Sequence, residues 1–141
     1  MTSRPMYENS KDLANEKEAA VLLSAKTGYV FHKLKIAYHV DWLIMEKGKP
    51  KYVAEIKRRL NPSNQYPTLM LSLQKWMKGK EMAAEMNIPF VLLIKWDDGV
   101  FFYKTGSSEV TYGFGGRYDR DDSQDQEPMV FIPVDKFKRI L

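Results

Sequence analysis

The sequence predicts an α/β fold, a mixed central sheet flanked by helices. Three observations carry that reading. Phe90 to Trp96 is an almost unbroken apolar run, which suits a strand covered on both faces. Ahead of it, three β-rich runs follow one another within residues 29–57, with a turn at Glu46-Lys47-Gly48-Lys49-Pro50. Helical periodicity lies on both sides of those runs, from Lys11 to Ala25 and again up to Met86. Strands interleaved with helices build a sheet with helices packed on it.

Taken in order, residues 1–10 are polar, contain Pro5 and lead into the first helix. On that helix Leu13, Ala20 and Leu23 follow one stripe, and Ala14, Val21, Leu22 and Ala25 a neighbouring one. Gly28 stands just past its end, where a helix-ending glycine belongs. Tyr29–Ile36, Val40–Met45 and Lys51–Lys57 are the first three strands. Asn61-Pro62-Ser63-Asn64-Gln65-Tyr66-Pro67 is a loop. The second helix starts at a cap between Thr68 and Ser72, with Leu69, Leu73, Trp76, Met77, Ala83 and Ala84 on its buried side. Asp97-Asp98-Gly99 turns the apolar strand into a hairpin partner, Val100–Tyr103. Residues 105–128 lose periodicity and gain Gly, Ser, Asp and Gln, predicting a long loop. Val130–Pro133 reads as a short edge strand, and Asp135 as the cap of a last turn carrying Phe137 and Ile140. The expected organisation is one domain over residues 1–141, with a core over 11–104, the loop over 105–128 and a C-terminal strand and helical turn over 129–141.

Composition narrows the function classes. The 141 residues are 44% hydrophobic and 13% aromatic, enough to furnish a core. No apolar run approaches the roughly 18 residues of a membrane span, and the N-terminus lacks the apolar segment of a signal peptide. The expectation is therefore a cytoplasmic protein without a membrane partner. Zero cysteines exclude disulfides and cysteine nucleophiles, and two histidines disfavour a zinc centre. A metal here would be a hard cation held by carboxylates. The net charge of +4 permits nucleic acid as a partner without requiring it.

The chemistry concentrates in Asp41 and Glu55-Ile56-Lys57. Side chains alternate along a strand, so Val53, Glu55 and Lys57 share one face, while Tyr52, Ala54 and Ile56 share the other. Asp41 begins the preceding strand of the same hairpin. Pairing four or five residues on each side brings it opposite Glu55 and Lys57. Two carboxylates so placed can hold Mg²⁺, with Mn²⁺ as a substitute, and a neighbouring lysine can orient water or offset developing charge. Taken singly, the three residues also fit a turn aspartate and an exposed strand pair.

On these residues and this element order, residues 11–96 resemble the PD-(D/E)XK nuclease superfamily, and the chain is similar in texture to small bacteriophage endonucleases. The resemblance implies a restriction-endonuclease-like α-β-β-β-α-β core and cleavage of DNA that leaves a 5′-phosphate, in a bacterial host cell if phage-encoded. Val40 stands where the family usually has proline. Asp41, Glu55 and the Ile56 backbone carbonyl are the implied metal ligands, and Lys57 acts on the attacking water. A first-helix glutamate, Glu18 with Glu16 as competitor, would support the metal. Gln74 or Lys75 would orient water or phosphate from the start of the second helix.

Several basic residues have two readings. Arg58 and Arg59 extend the third strand as phosphate contacts or as a solvated end. Lys33 and Lys35 could join the same rim, and His39 could touch a phosphate. Trp42, Trp76 and Trp96 sit in core elements. Arg117 and Arg120 lie in a glycine-rich, acidic segment, as DNA clamps or as part of a solvated loop. That segment precedes no helix, so it is not a nucleotide loop, and its aspartates lack EF-hand spacing. A catalytically silent DNA-binding module of the same fold, an exonuclease and a junction resolvase are the alternatives to an endonuclease. A resolvase needs two active sites, hence a homodimer.

Overall fold

In the computed structural model the chain is described over residues 10–35, 40–106, 110–116 and 126–141. In chain order the elements are α1 (Ser10–Thr27), β1 (Val30–Lys33), β2 (Trp42–Glu46), β3 (Lys49–Arg58), β4 (Thr68–Ser72), α2 (Leu73–Met86), β5 (Phe90–Trp96), β6 (Gly99–Lys104), β7 (Thr111–Gly116), β8 (Gln126–Pro133), a 3-10 turn (Val134–Lys136) and β9 (Lys138–Arg139). They form a six-stranded mixed sheet, ordered β1-β2-β3-β5-β6-β9, and a three-stranded sheet, ordered β4-β8-β7.

β2 and β3 form a hairpin whose turn residues Lys47 and Gly48 both have positive φ, the backbone a two-residue hairpin loop requires. β3 then pairs in parallel with β5, with Glu55 opposite Leu92 and Lys57 opposite Ile94. A parallel pair needs a long crossover, supplied here by β4 and α2. α2 starts at Ser72, whose hydroxyl accepts from the Lys75 backbone N–H, and stops at Asn87 in the left-handed conformation.

The alternation of β3 separates two apolar layers. Ala54 and Ile56 pack with Ala19, Ala20 and Leu23 of α1 and with Trp42, Ile44, Val91 and Leu93. Val53 faces the other way, into a cluster with Trp76 and Ala83 of α2, Leu92 and Ile94 of β5, and Leu69, Leu71, Val130 and Ile132 of the small sheet. The fold class is thus α/β with a mixed central sheet and two helices.

Several local expectations are corrected. The neighbouring stripe of α1, Ala14, Val21, Leu22 and Ala25, is exposed, because the sheet meets only the side carrying Ala19, Ala20 and Leu23. Thr68–Ser72 is a strand and not helix; Leu69 and Leu71 alternate into the core while β8 satisfies the backbone. On α2, Met77 and Ala84 are exposed. Residues 105–128 are not one loop. They include β7 and the start of β8, and β8 is the middle strand of its sheet rather than an edge. Asp135 lies inside the last turn, a 3-10 turn whose cap position is Pro133.

Gly79 is buried on α2 with the Phe90 ring directly over it, so a methyl group there would penetrate the ring. Alanine gains about 1 kcal/mol of helix propensity over glycine, while overpacking a filled core costs about 1–3 kcal/mol. We expect Gly79→Ala to lower the melting temperature by several degrees, read by circular dichroism. An unchanged or raised melting temperature would contradict this packing.

Candidate active site

The β2–β3 ladder ends at the pair Trp42–Ala54. One step further along each chain come Asp41 and Glu55. Leu43 pairs with Val53, so by alternation Asp41, Leu43, Val53, Glu55 and Lys57 all project from the α2 side of the sheet. Asp41 is 6% exposed and Glu55 is 1% exposed. The Asp41 backbone carbonyl accepts from the Leu34 N–H at 2.7 Å, fixing this end of β2 to the chain leaving β1.

Three lysines converge on the two carboxylates. Lys75 enters from the first turn of α2, with Nζ 3.1 Å from Asp41 Oδ1 and 3.7 Å from Glu55 Oε1. Lys33 enters from β1, 3.4 Å from the same Asp41 oxygen. Lys57 lies 3.4 Å from Glu55 Oε1. A third carboxylate, Glu16 of α1, accepts from the Trp42 indole Nε1 at 3.0 Å and lies 3.8 Å from Lys33 Nζ. The Lys33 ammonium also sits 5.7 Å from the centroid of the Trp42 ring.

The two central carboxyl groups hydrogen-bond one another and titrate apart. Burial, reinforced by the Asp41 charge, pushes Glu55 up to about 7 against the pull of Lys57 and Lys75. Burial also works against the charge on Asp41, but the Glu55 hydrogen bond and the Lys75 and Lys33 charges bring it down to about 2. Burial likewise opposes the Lys75 charge, yet Glu55, Asp41 and Glu16 hold its proton more firmly than usual. Glu55 Oε1 is buried and accepts no hydrogen bond. A buried carboxylate oxygen in that condition has capacity for a further donor or a cation.

The Ile56 carbonyl adds a neutral donor. Val53 and Arg59 donate their N–H groups to Pro89 and Lys95 at the β5 edge, at 3.0 Å each. By alternation the Ile56 backbone points to the opposite edge, where β2 has stopped pairing. Asp41, Glu55 and this carbonyl are all oxygen donors, the chemistry a hard cation takes. Among the described residues, no three His, Asp or Glu side chains gather closely enough to make a metal site by themselves.

The expected residues separate into those the structure gathers and those it does not. Asp41, Glu55, Lys57 and Lys75 come together, whereas Gln74 is exposed beside them in sequence. Glu18 points elsewhere, its side chain 57% exposed and 3.8 Å from Lys95. Glu16 takes the inward place, since residues two apart on a helix face roughly 200° away from each other. Arg58 lies on the α1 side of β3, with its Nη1 buried and making no hydrogen bond. Arg59 donates to the Met70 carbonyl at 3.3 Å, tying β3 to β4. His39, Arg117 and Arg120 lie outside the described residues. Lys33 reads from sequence as a rim lysine but belongs to the cluster, and Trp42 supplies a polar contact as well as packing.

The family described as "Phage putative PDDEXK endonuclease" matches residues 2–140. The chain belongs to this family. The fold agrees with a solved structure, Hjc from Archaeoglobus fulgidus, a Holliday junction resolvase: the TM-score is 0.62 at 14% identity, over 93% of each chain. That likeness is one of fold, the restriction-endonuclease-like core. None of the curated proteins matches this PDDEXK chain.

The raised Glu55 pKa makes metal-free stability depend on pH. Between its ordinary 4.5 and about 7, the folded state holds a proton that the unfolded state has lost. The stabilisation is complete below pH 4.5 and vanishes as pH rises through 7. Asp41 acts oppositely, but only as pH falls below its ordinary 3.8. In EDTA, the melting temperature should fall as pH rises from about 5 to 8, and Glu55→Gln should flatten that slope. Equal slopes for the two proteins would contradict the assignment.

Proposed function

We propose that this PDDEXK-family protein is a Mg²⁺-dependent DNA endonuclease acting in the cytoplasm of a bacterial host. The observation that carries the reading is the unsatisfied, buried Glu55 Oε1 beside Asp41, ringed by lysines. With only lysine ammonium groups near it and no hydrogen bond, this oxygen is free to take a metal cation once Glu55 loses its proton. Asp41, Glu55 and the Ile56 carbonyl are the residues that would hold Mg²⁺, or Mn²⁺ in its place. Such an ion, when bound, polarises a phosphate and acidifies a water molecule.

The remaining steps belong to the chain's own groups. Asp41 is already ionised, and Glu55 must give up its proton before it can serve as a ligand, so competence rises with pH toward neutrality. Lys57 projects from the same face two residues beyond Glu55, where its ammonium orients the attacking water and offsets charge on the phosphate. Lys75 holds both carboxylates in position and presents a positive charge at the start of α2. Glu16 fixes Trp42 and Lys33 behind Asp41 and is a positioning residue. Arg59, on the same face as Glu55 and Lys57, adds positive charge at the end of β3 for the DNA backbone, while Arg58 faces the α1 side. The likeness to a Holliday junction resolvase favours a second reading, cleavage of branched DNA by a homodimer. Mass in solution and cleavage of a four-way junction separate the two.

Asp41→Ala and Glu55→Ala should each reduce Mg²⁺-dependent cleavage of plasmid DNA below about 1% of wild type while leaving the circular dichroism spectrum unchanged. Wild-type cleavage by either variant, or by the native protein in EDTA, would refute the site. Lys57→Ala should lower kcat by roughly a hundredfold and change DNA affinity by less than about twofold. Lost binding with normal residual turnover would instead make Lys57 a phosphate anchor.

A further inference from the structure

The two central strands of the large sheet end in basic residues set side by side. Arg58 of β3 and Lys95 of β5 are register partners in the parallel ladder, on backbones about 4.8 Å apart. The Arg59 N–H donates to the Lys95 carbonyl at 3.0 Å, so the ladder stays closed to its end. By alternation Arg58 follows Ile56 and Lys95 follows Leu93, which places both on the α1 side, away from Glu55 and Lys57. Ile56 and Leu93 are buried in the layer under α1 and give the two cations an apolar floor.

The charge at that floor is not balanced. Arg58 Nη1 is buried and makes no hydrogen bond, and among the described residues no carboxylate pairs with its guanidinium. Arg59 differs, since it donates to the Met70 carbonyl. The Lys95 side chain is 18% exposed and lies 3.8 Å from Glu18 of α1, whose own side chain is 57% exposed. A pair so open to water contributes little. Asp98, in the turn after β5, is engaged elsewhere: its two carboxylate oxygens accept from the Ser63 N–H at 2.8 Å and the Ser63 hydroxyl at 2.6 Å. Two cations and one solvated carboxylate leave a net positive site, with a buried guanidinium donor that has capacity for an anion.

We propose that Arg58 and Lys95 form a phosphate site on the α1 side of the sheet, filled by a DNA phosphate other than the one cleaved. DNA as the carrier of that phosphate rests on the nuclease reading above; the anion chemistry does not. A guanidinium fork matches two phosphate oxygens, and an ammonium beside it adds a second charge. Glu55 and Arg58 are three residues apart on β3, about 10 Å. Each DNA strand carries one phosphate per about 3.4 Å of helix axis, so this distance corresponds to about three nucleotides. The two sites lie on opposite faces of the sheet. A DNA strand held at both therefore passes over the ends of β3 and β5 instead of following one face.

The test compares the full-length wild type with Arg58→Met/Lys95→Met, which removes both charges and keeps apolar stems of similar length. Inorganic phosphate replacing chloride, at equal ionic strength and in EDTA, should raise the melting temperature of the wild type several degrees more than that of the variant. The general stabilising effect of phosphate is common to both proteins. A merely structural role for the two residues lowers the variant's melting temperature equally in chloride and in phosphate, and that result overturns the site. Anisotropy of labelled DNA in Ca²⁺ should show binding by the variant about five- to tenfold weaker, with a salt slope smaller by about one. Arg58→Lys alone keeps the charge and should keep the slope. DNA with a 5′-phosphate or a 5′-hydroxyl separates the sources. Equal affinity marks an internal phosphodiester, and a preference for the 5′-phosphate that the variant loses marks a strand end. If the double variant does not fold, Lys95→Met alone decides: a reduced phosphate effect supports the site and an unchanged one overturns it. Stabilisation by phosphate through these residues, with DNA binding unaffected, keeps the anion site and removes DNA as its carrier. Mg²⁺-dependent cleavage by the wild type then shows whether the nuclease reading itself stands.

Discussion

Placing two carboxyl groups in hydrogen-bond contact at the end of a sheet, nearly out of reach of water, sets the terms for everything around them. A buried carboxylate is costly unless it is paired, protonated or bound to a cation, and Asp41 and Glu55 draw on these options differently. Asp41 is satisfied by Lys33, Lys75 and the Glu55 proton. Glu55 remains only partly satisfied, with an oxygen that accepts no hydrogen bond. β1 is held at the corner where Lys33 reaches Asp41, α2 begins where Lys75 can reach both acids, and α1 contributes Glu16 to anchor Trp42 and Lys33. The apolar layers on both faces of β3 keep these groups in register.

Much of this was legible before any coordinates. The run Phe90–Trp96 and the hairpin around Lys47-Gly48 could be read because buried parallel strands and tight turns leave strong compositional marks. The strand alternation that put Glu55 and Lys57 on one face follows from the backbone, and the structure has it so. The small sheet could not be read. Thr68–Ser72 runs into α2 without a break, so Leu69 and Leu71 fit a helix stripe as well as a strand. β7 alternates aromatics with glycine, a pattern that local propensity assigns to a loop and that pairing with β8 makes a strand.

The first helix shows a finer limit. Two apolar stripes are legible on it, and Glu18 shares the second with Ala14, Val21, Leu22 and Ala25. The sheet meets only Ala19, Ala20 and Leu23, which turns Glu16 inward and leaves Glu18 beside Lys95. The signal that distinguishes the two glutamates is their relation to Leu23 and Ala20 on one 3.6-residue turn, with small residues marking close approach to the sheet. For Gln74 and Lys75 no such signal existed, because the direction of the first turn depends on where Ser72 caps it.

The account stands on Glu55 exchanging its proton for a divalent cation. Calorimetric titration of Mn²⁺ into the native protein, in buffers of different ionisation enthalpy, counts that proton directly. At pH 6 release of close to one proton per bound ion is expected, falling toward zero by about pH 8.5, as follows from a Glu55 pKa of about 7. Saturable binding with no proton released at pH 6, or no binding at either pH, would contradict it.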